Sequence, residues 1–337
     1  RLYQAPGGTM IINAQLDDES DATGVASSAS KIGLGTVIIN DNPKGASDVQ
    51  AWNVMGGTLE WVWRSTGSSG NDRFARADAS DYGARLLMGG GALHVVGATN
   101  ASRDQDLPGA RFTLTPGGSE IRVTAQNDGT ARTTRLTVGR GAGTSFFRSA
   151  GATLNVVQDD NGGVSIVRFN VSGTAGYGSI VALETPQPWA TYTAVPGVVD
   201  YFLEISGTNA DASAFNKHED GNSEFSYDIA NHVNAYQDIA FTGPINAASL
   251  RFQTDAIDLT QDGFALTLDR GAILVTTSNV TTGASISGGT LTSNLDADGA
   301  GAGTGRDLIV HNYSAGVFEL GSTVTDNADA GAAVNLV

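Results

Sequence analysis

Short runs in which apolar and polar residues alternate dominate the chain. They lie at 36–40, 59–63, 112–115, 121–124, 135–138, 154–157, 164–167, 264–268, 273–276 and 308–311. Turn-forming pairs such as Asp128-Gly129 and Asn161-Gly162 separate several of these runs. Brief alternation between such breakers is typical of short β-strands. Apolar residues at helical spacing are scarce, so the pattern predicts an all-β fold.

The runs recur after turns that contain glycine. In six places a pair of small residues precedes a strand whose anchoring aliphatic is Leu59, Leu93, Ile121, Leu154, Leu274 or Leu291. The successive spacings are 34, 28, 33, 120 and 17 residues, and several lie near one or two multiples of 17. Coils of a β-solenoid have about this length, and their equivalent strands pair in parallel. The repeat therefore predicts a parallel β-helix (β-solenoid) with inward-facing aliphatic side chains.

The stretch 186–244 departs from this pattern. It holds Pro186, Pro188, Pro196 and Pro244, four of the eight prolines, together with many of the aromatic residues. We interpret it as an irregular, aromatic-rich excursion packed on the solenoid. The chain then divides into an N-terminal solenoid part (1–185), the excursion (186–244) and a C-terminal solenoid part (245–337).

Composition narrows the class of protein further. The 337 residues include 44 Gly and no Cys, and the formal net charge is −16. Without Cys the chain forms neither disulfides nor thiolate metal sites. A nucleic-acid binder needs clustered positive charge, so we expect no nucleic-acid partner for so acidic a chain. No apolar run reaches the length of a membrane-spanning helix, about 18 residues, so we expect no transmembrane segment.

The two ends suggest a piece of a longer protein. The chain begins with Arg1 rather than Met and shows no apolar targeting segment, and residues 332–337 stop inside an apolar alternation. We therefore expect neighbouring repeats of the same chain, or further copies of it, to be its partners.

Side chains suited to catalysis are dispersed. The four histidines are His94, His218, His232 and His311, and no two stand at a metal-ligand spacing such as i, i+4. Asp159 and Asp160 are a pair of neighbouring carboxylates, as a hydrolase would need. Because glycines follow them, the simpler interpretation is that they form a turn. We therefore predict a non-enzymatic protein without a cofactor, and keep a polysaccharide-degrading protein as the alternative.

Two acidic loops are candidates for Ca²⁺ binding. One holds Asp17, Asp18 and Asp21, and the other holds Asp296 and Asp298. Such clusters offer the hard oxygen ligands that Ca²⁺ accepts in variable geometry. Neither matches an EF-hand loop, so solvated acidic loops are the competing interpretation.

Three tryptophans are candidates for binding a glycan. Trp61 and Trp63 alternate within one predicted strand and therefore share a face, and Trp52 lies nearby in the chain. Exposed indole rings in this arrangement would form a stacking platform for sugars. We favour packing within the core and keep the platform as the alternative, with surface glycans as its ligands.

The order of several segments resembles a known family. The segments are 144–156, 188–192, 245–252, 271–275, 286–293, 307–312 and 321–327. Together they resemble bacterial surface proteins with autotransporter-associated β-strand repeats, such as the giant surface proteins of planctomycete-like and verrucomicrobial bacteria. The resemblance covers roughly residues 50–337.

This resemblance implies a location and a role. Members of the family are long extracellular right-handed β-helices on the bacterial cell surface, and they serve in display, adhesion or assembly. We therefore expect a structural segment that forms a rod, filament or surface-layer element, with adhesion as an added role. No catalytic residue is implied by the resemblance.

Overall fold

The computed structural model describes residues 1–13, 16, 28–40, 49, 51–63, 85–107, 111–139, 145–170, 187–205, 210–215, 219–221, 231–277, 283–294, 306–326 and 333–337. Within these residues there are 28 β-strands and no helix. Nearly all the strand pairs are parallel. The predicted all-β, parallel-strand character is therefore confirmed.

Most of the predicted runs are strands. The strands of the first half are β1 (Leu2–Tyr3), β2 (Thr9–Ile12), β3 (Ser28–Ile32), β4 (Thr36–Asn40), β5 (Ala51–Val54), β6 (Gly57–Val62), β7 (Arg85–Met88), β8 (Gly91–Val96), β9 (Arg103–Leu107), β10 (Arg111–Leu114), β11 (Gly117–Thr124), β12 (Thr133–Val138), β13 (Ser145–Arg148), β14 (Ala152–Asp159) and β15 (Val164–Phe169).

The strands of the second half are β16 (Gln187–Thr193), β17 (Tyr201–Ile205), β18 (Ala210–Ala214), β19 (Glu219–Gly221), β20 (His232–Ala235), β21 (Ile239–Ala240), β22 (Ile245–Phe252), β23 (Ile257–Thr260), β24 (Ala265–Val275), β25 (Ala284–Ser293), β26 (Arg306–Asn312), β27 (Phe318–Val324) and β28 (Val334–Leu336).

The chain folds into two compact units. Unit 1 comprises Arg1–Thr185, Ala194–Pro196 and Ile205–Ser213, and unit 2 comprises Pro186–Thr193, Gly197–Glu204 and Ala214–Val337. The three-part division of the sequence remains a prediction.

Unit 1 contains three ladders of strands. The first ladder runs β1-β3-β5-β7-β10-β13 and the second runs β2-β4-β6-β8-β11-β14, all in parallel. The third runs β9-β12-β15 in parallel and ends on the antiparallel β18. Successive strands of the chain thus join different ladders. Each time the chain passes a ladder, it adds one strand to it.

The core of unit 1 consists of side chains stacked in register. In the first ladder Trp52, Leu86, Phe112 and Phe146 occupy successive rungs. The Phe112 ring centroid lies 5.3 Å from that of Phe146 and 6.3 Å from that of Phe169 on the third ladder. Burying such rows removes apolar surface from water and is the main stabilisation available to a fold of short strands.

A glycine marks the corner at which β6 begins. Gly57 has a φ of 60°, and a Cβ built on it would collide with the Gly35 carbonyl oxygen of the preceding passage. Glycine is therefore needed here both for the left-handed backbone and for the close approach of two chain segments.

The register differs from the sequence repeat at one anchor. Leu59 pairs with Leu93, and Leu93 pairs with Ile121, as the repeat predicts. Leu154, however, pairs with Ser119, and Ile121 pairs with Val156. A shift of two residues leaves the same side chains facing inward, so the hydrophobic pattern does not fix it.

Unit 2 contains two main parallel ladders. One runs β19-β20-β22-β24-β26-β28, and the other runs β21-β23-β25-β27. The long strand β24 serves both, because its residues Ala265–Leu268 also pair with β25. Leu274 and Leu291 therefore belong to different rows, although the sequence repeat placed them in one series.

The core of unit 2 lies between these two ladders. Its rows include Leu250 beside Ile273 and Leu259 beside Ile286, all without exposed surface. Phe252 and Phe318 contribute rings whose centroids are 5.5 Å apart. The antiparallel pair of β16 and β17 also belongs to unit 2, except for Ile205.

Candidate functional site

Four polar side chains form a hydrogen-bonded row on the outward face of the second ladder of unit 1. Glu60, His94, Thr124 and Asp159 come from β6, β8, β11 and β14. Glu60 stands directly opposite His94, and Thr124 stands directly opposite Asp159. The row passes diagonally from His94 to Thr124, because the direct neighbour of His94 on β11 is Arg122. We call these four residues the polar row.

The distances within the polar row define three links. His94 Nδ1 lies 2.9 Å from Glu60 Oε2, and His94 Nε2 lies 2.9 Å from Thr124 Oγ1. The Thr124 hydroxyl donates to Asp159 Oδ2 at 3.3 Å. The side chains of His94 and Glu60 are 18% and 22% exposed, and Thr124 is 8% exposed. The row is therefore largely shielded from water.

A second polar group lies beside the row on the same face. Arg122 Nε is 3.5 Å from Glu120 Oε1, and Asn155 Nδ2 donates to Glu120 Oε2 at 3.3 Å. The positive charge of Arg122 is thus paired with a carboxylate on its own strand.

The first three members of the row have the order of a catalytic triad, which is carboxylate, imidazole and hydroxyl. Two features differ from a working triad. The Thr124 hydroxyl is buried and also donates to Asp159. Strand β11 pairs with β8 and with β14, so its backbone N–H groups are engaged in the ladder and are not free for an oxyanion. The geometry therefore favours a structural role for the row, as a hydrogen-bonded link between strands, over catalysis of acyl transfer.

Sequence reasoning treated His94 as one of four dispersed histidines and missed the row. A signal for part of it was present. Glu60 and His94 each occupy the third position after a Gly-Gly pair, at Gly56-Gly57 and Gly90-Gly91. Aligning the two repeats places these side chains on adjacent strands of one face. Thr124 and Asp159 lie beyond the aligned segment, so the repeat does not indicate their contact.

The three candidate tryptophans lie in the core. Trp52 is 1% exposed, and Trp61 and Trp63 are each 3% exposed. Trp61 stacks between Ile39 and Val95 in the second ladder. No ring face is open to a sugar, so the alternative of a stacking platform is wrong, and the three rings pack in the core as the favoured interpretation predicts.

The neighbouring acids Asp159 and Asp160 have separate tasks. Asp160 Oδ1 accepts a hydrogen bond from the Ser165 backbone N–H at 2.7 Å across a turn in which Asn161 and Gly162 have positive φ. Asp160 thus fixes the turn between β14 and β15, as the turn interpretation predicts. Asp159 belongs to the polar row instead.

The Ca²⁺ candidates Asp17, Asp18, Asp21, Asp296 and Asp298 lie outside the described residues, as does His218. Among the residues that the structure describes, no three His, Cys, Asp or Glu side chains are grouped closely enough to hold a metal ion.

Lys31 is a buried cation that sequence reasoning missed. It has no exposed surface, and its Nζ donates to the carbonyl oxygens of Ile32, Gly33 and Gly56 at 3.1, 2.7 and 2.9 Å. Burial lowers the pKa of the Lys31 amine. The ammonium joins the glycine corners of two successive passages of the chain, so its role is structural.

Unit 2 holds a different polar cluster on the outward face of its first ladder. His232 Nδ1 lies 2.8 Å from Ser249 Oγ, and the Phe215 ring contacts the imidazole edge to face at 4.9 Å between centroids. Phe215 and Phe202 pack on Ala272 and Leu274 and cover this face. Burial, with a smaller contribution from the positive charge of Arg270, lowers the pKa of His232 to about 4.

Two further buried groups belong to this cluster. The His311 ring contacts Phe202 edge to face and stacks on Tyr313. Arg251 Nη1 donates to the Asp200 carbonyl oxygen at 3.3 Å, and its guanidinium lies 5.3 Å from the centre of the Tyr201 ring. His232, His311 and Arg251 are each 7% exposed and lie against aromatic side chains.

Comparison with known proteins adds no family to this picture. No protein-family model, curated protein sequence or solved structure matches the chain. In the described part of the chain, no helix is long and apolar enough to span a membrane.

Proposed function

We propose that the protein is a right-handed β-solenoid that serves as a structural, non-enzymatic segment of a bacterial cell-surface protein. Its extracellular role would be to form a rod, filament or surface-layer element by stacking of β-coils. The observation that carries the proposal is the register of unit 1, in which equivalent inward side chains stack over six strands of one ladder.

The length of the passages between rungs varies, as a solenoid of stacked coils permits. Between rungs of the second ladder the chain takes 22 residues from Val37 to Leu59 and 35 residues from Ile121 to Val156. The ladder keeps its inward rows through both passages. The longer passage includes β12 of the third ladder and β13 of the first, so its described residues add a strand to the stack. A solenoid permits this, because each coil contacts only its neighbours.

The ends of the ladders indicate how such a segment would assemble. Among the described strands, β2 pairs only with β4, and β27 pairs only with β25. The edge of unit 1 exposes Tyr3 (62%) and Ile11 (57%). The edge of unit 2 exposes Val317 (75%). Unpaired parallel edges with apolar side chains bind a further strand.

The occupant that we propose is the opposite edge of a second copy. Charge supports this choice: Arg1 is exposed beside the edge of unit 1, whereas Glu319 and Asp326 are exposed at the edge of unit 2. Opposite charges would steer the two edges together and disfavour pairing of like edges.

Sedimentation velocity and electron microscopy of the 337-residue chain test assembly. We expect concentration-dependent association into linear particles and its loss in Ile11→Lys, which places a charge on the open edge. Val164→Lys is the matched control, because Val164 is 45% exposed but lies in a strand paired on both sides. A wild-type chain that stays monomeric at all concentrations contradicts assembly.

Location needs a separate experiment. Intact source cells would be probed with an antibody to this chain and treated with a protease that does not enter cells. We expect the antibody to label the cell surface, and we expect the protease to remove the band of this chain from an immunoblot of the cells. A protected, cytoplasmic band would overturn the cell-surface proposal while leaving the fold untouched.

A further inference from the structure

Three polar side chains form a row inside unit 1, on the inward face of the third ladder. Arg103, Thr134 and Ser165 come from β9, β12 and β15, and Thr134 stands directly opposite both of the others. They are 7%, 0% and 3% exposed. A buried polar group costs stability unless a partner takes up its hydrogen bonds. Each of the three side chains therefore needs a partner.

Ser165 is the member of this row whose hydroxyl is satisfied. It accepts from the Ala125 backbone N–H at 2.9 Å and donates to the backbone carbonyl oxygen of Asp159 at 2.6 Å. Among the described residues, Thr134 Oγ1 has no hydrogen-bond partner, and neither a hydrogen bond nor an ion pair reaches the side chain of Arg103. The row therefore ends in two unused donors, one of which is a cation.

The acids closest to Arg103 in the chain lie on the other side of the strand. Asp104 follows it on β9, faces outward and pairs with Arg135 at 3.4 Å. Asp106 faces outward as well, by the alternation of buried and half-buried residues along β9. A buried cation without a counter-charge is strongly destabilising. The inward end of this row thus calls for a negative charge that the described side chains do not supply.

A third unused donor lies in the adjoining part of the core. Trp63 is 3% exposed, and its indole Nε1 has no hydrogen-bond partner among the described residues. Its backbone N–H donates to the Val96 carbonyl oxygen at 3.0 Å, which places Trp63 on the strand next to Gly97. A Cβ built on Gly97 would collide with Thr134 Oγ1. The backbone of Trp63 and the hydroxyl of Thr134 are therefore both next to this glycine.

We propose that Arg103, Thr134 and Trp63 form an internal binding site for a small inorganic anion of the chloride class. The guanidinium supplies the charge, and all three side chains supply N–H or O–H donors. A water molecule would accept some of these hydrogen bonds but would leave the positive charge of Arg103 uncompensated. Because Thr134 has no exposed surface, a single-atom anion fits the site better than phosphate or a carboxylate does.

The bound anion would join β9 to β12 and to the end of the second ladder. A ligand that binds only the folded chain stabilises it by mass action. The test compares urea unfolding, followed by tryptophan fluorescence, in sodium chloride and in sodium gluconate at equal ionic strength, so that general screening is the same. In the wild type the folding equilibrium constant should rise about tenfold when chloride reaches about ten times its dissociation constant.

Two variants remove the donors with little change in volume. Arg103→Met removes the cation and Thr134→Val removes the hydroxyl, and each should lose most of the gain in chloride. In gluconate, Arg103→Met should be no less stable than the wild type, because it deletes an unpaired buried charge. Arg135→Met is the matched control, since it removes an arginine from the outward face of the same ladder. It should keep the full gain.

A wild-type chain that is equally stable in both salts overturns the proposal, as does an undiminished gain in Arg103→Met. Wild-type crystals soaked in sodium bromide give a readout that no misfolded variant can spoil. An anomalous scattering peak between the Arg103 guanidinium and the Thr134 hydroxyl supports the site. The absence of such a peak at that position contradicts it.

Discussion

His94 in unit 1 and His232 in unit 2 stand at similar places and face opposite surroundings. Each projects from the outward side of a parallel strand, and each has a ring nitrogen within 2.9 Å of a hydroxyl on the next strand. His94 also contacts the carboxylate of Glu60, and its row ends on Asp159. His232 lies under Phe215, and the nearby charge is the positive one of Arg270.

The difference shows that the cover of a sheet face decides what a histidine does there. Aromatic cover and a nearby cation disfavour the charged form of His232, whereas hydrogen-bonding side chains surround His94. Acid should therefore weaken the aromatic cluster of unit 2.

The largest effect is expected from His232. Its pKa is about 4 when folded and 6.5 in its ordinary state. The unfolded chain therefore binds more protons in this window, and stability is lost as the pH falls from 6.5 to 4. The loss should reach about 3 kcal/mol.

Hydrogen exchange of the β20 and β22 amides would follow this loss. In His232→Gln, which retains a polar partner for Ser249, the protection factors of these amides, which correct for the intrinsic pH dependence of exchange, should no longer fall across the window. An equally steep fall of the protection factors in that variant would show that another group causes it.

A smaller effect is expected from Lys31→Met. The methionine fills a similar space but leaves the Gly33 and Gly56 carbonyl oxygens without the ammonium donor. Loss of these buried bonds should cost about 2 kcal/mol, measured by urea unfolding. Ser28→Ala, at an exposed position of the same strand, should change stability little. If both variants unfold at the wild-type urea concentration, Lys31 has no structural role.

The smallest effect is expected from an exposed ion pair of unit 1. Arg168 Nε donates to Asp211 Oδ1 at 2.6 Å, and the two side chains are 26% and 46% exposed. The Asp211 hydrogen bond and charge, aided by Asp104 and Asp106, raise the pKa of Arg168. Asp211→Asn should cost no more than about 0.5 kcal/mol, because water screens the pair.

High salt should remove the difference between wild type and Asp211→Asn. A loss comparable to that of Lys31→Met would contradict the contrast between screened and buried polar contacts.

Much of the strand pattern was predictable from residues alone. The alternation at 36–40 coincides with β4, and the glycine before Leu59 has the positive φ that the corner requires. The inward position of Trp61 also follows from its phase with Leu59 on one strand. These features depend on local sterics and on the period of two, which neighbouring residues determine.

The candidate site was less predictable because it depends on register. Glu60 and His94 could be aligned through their Gly-Gly pairs, but Thr124 and Asp159 are brought together by a pairing in which Ile121 faces Val156 rather than Leu154. A slip of two residues buries the same face, so burial does not choose between these registers.

The sequence by itself determined that the chain forms short strands with one apolar face, turned at glycine corners. Only the tertiary structure decided which outward side chains meet, and therefore which histidine lies between carboxylates and which lies under phenylalanine. The physical reason is that side-chain alternation is a local property, whereas hydrogen bonds between passages depend on register and on the cover over each face.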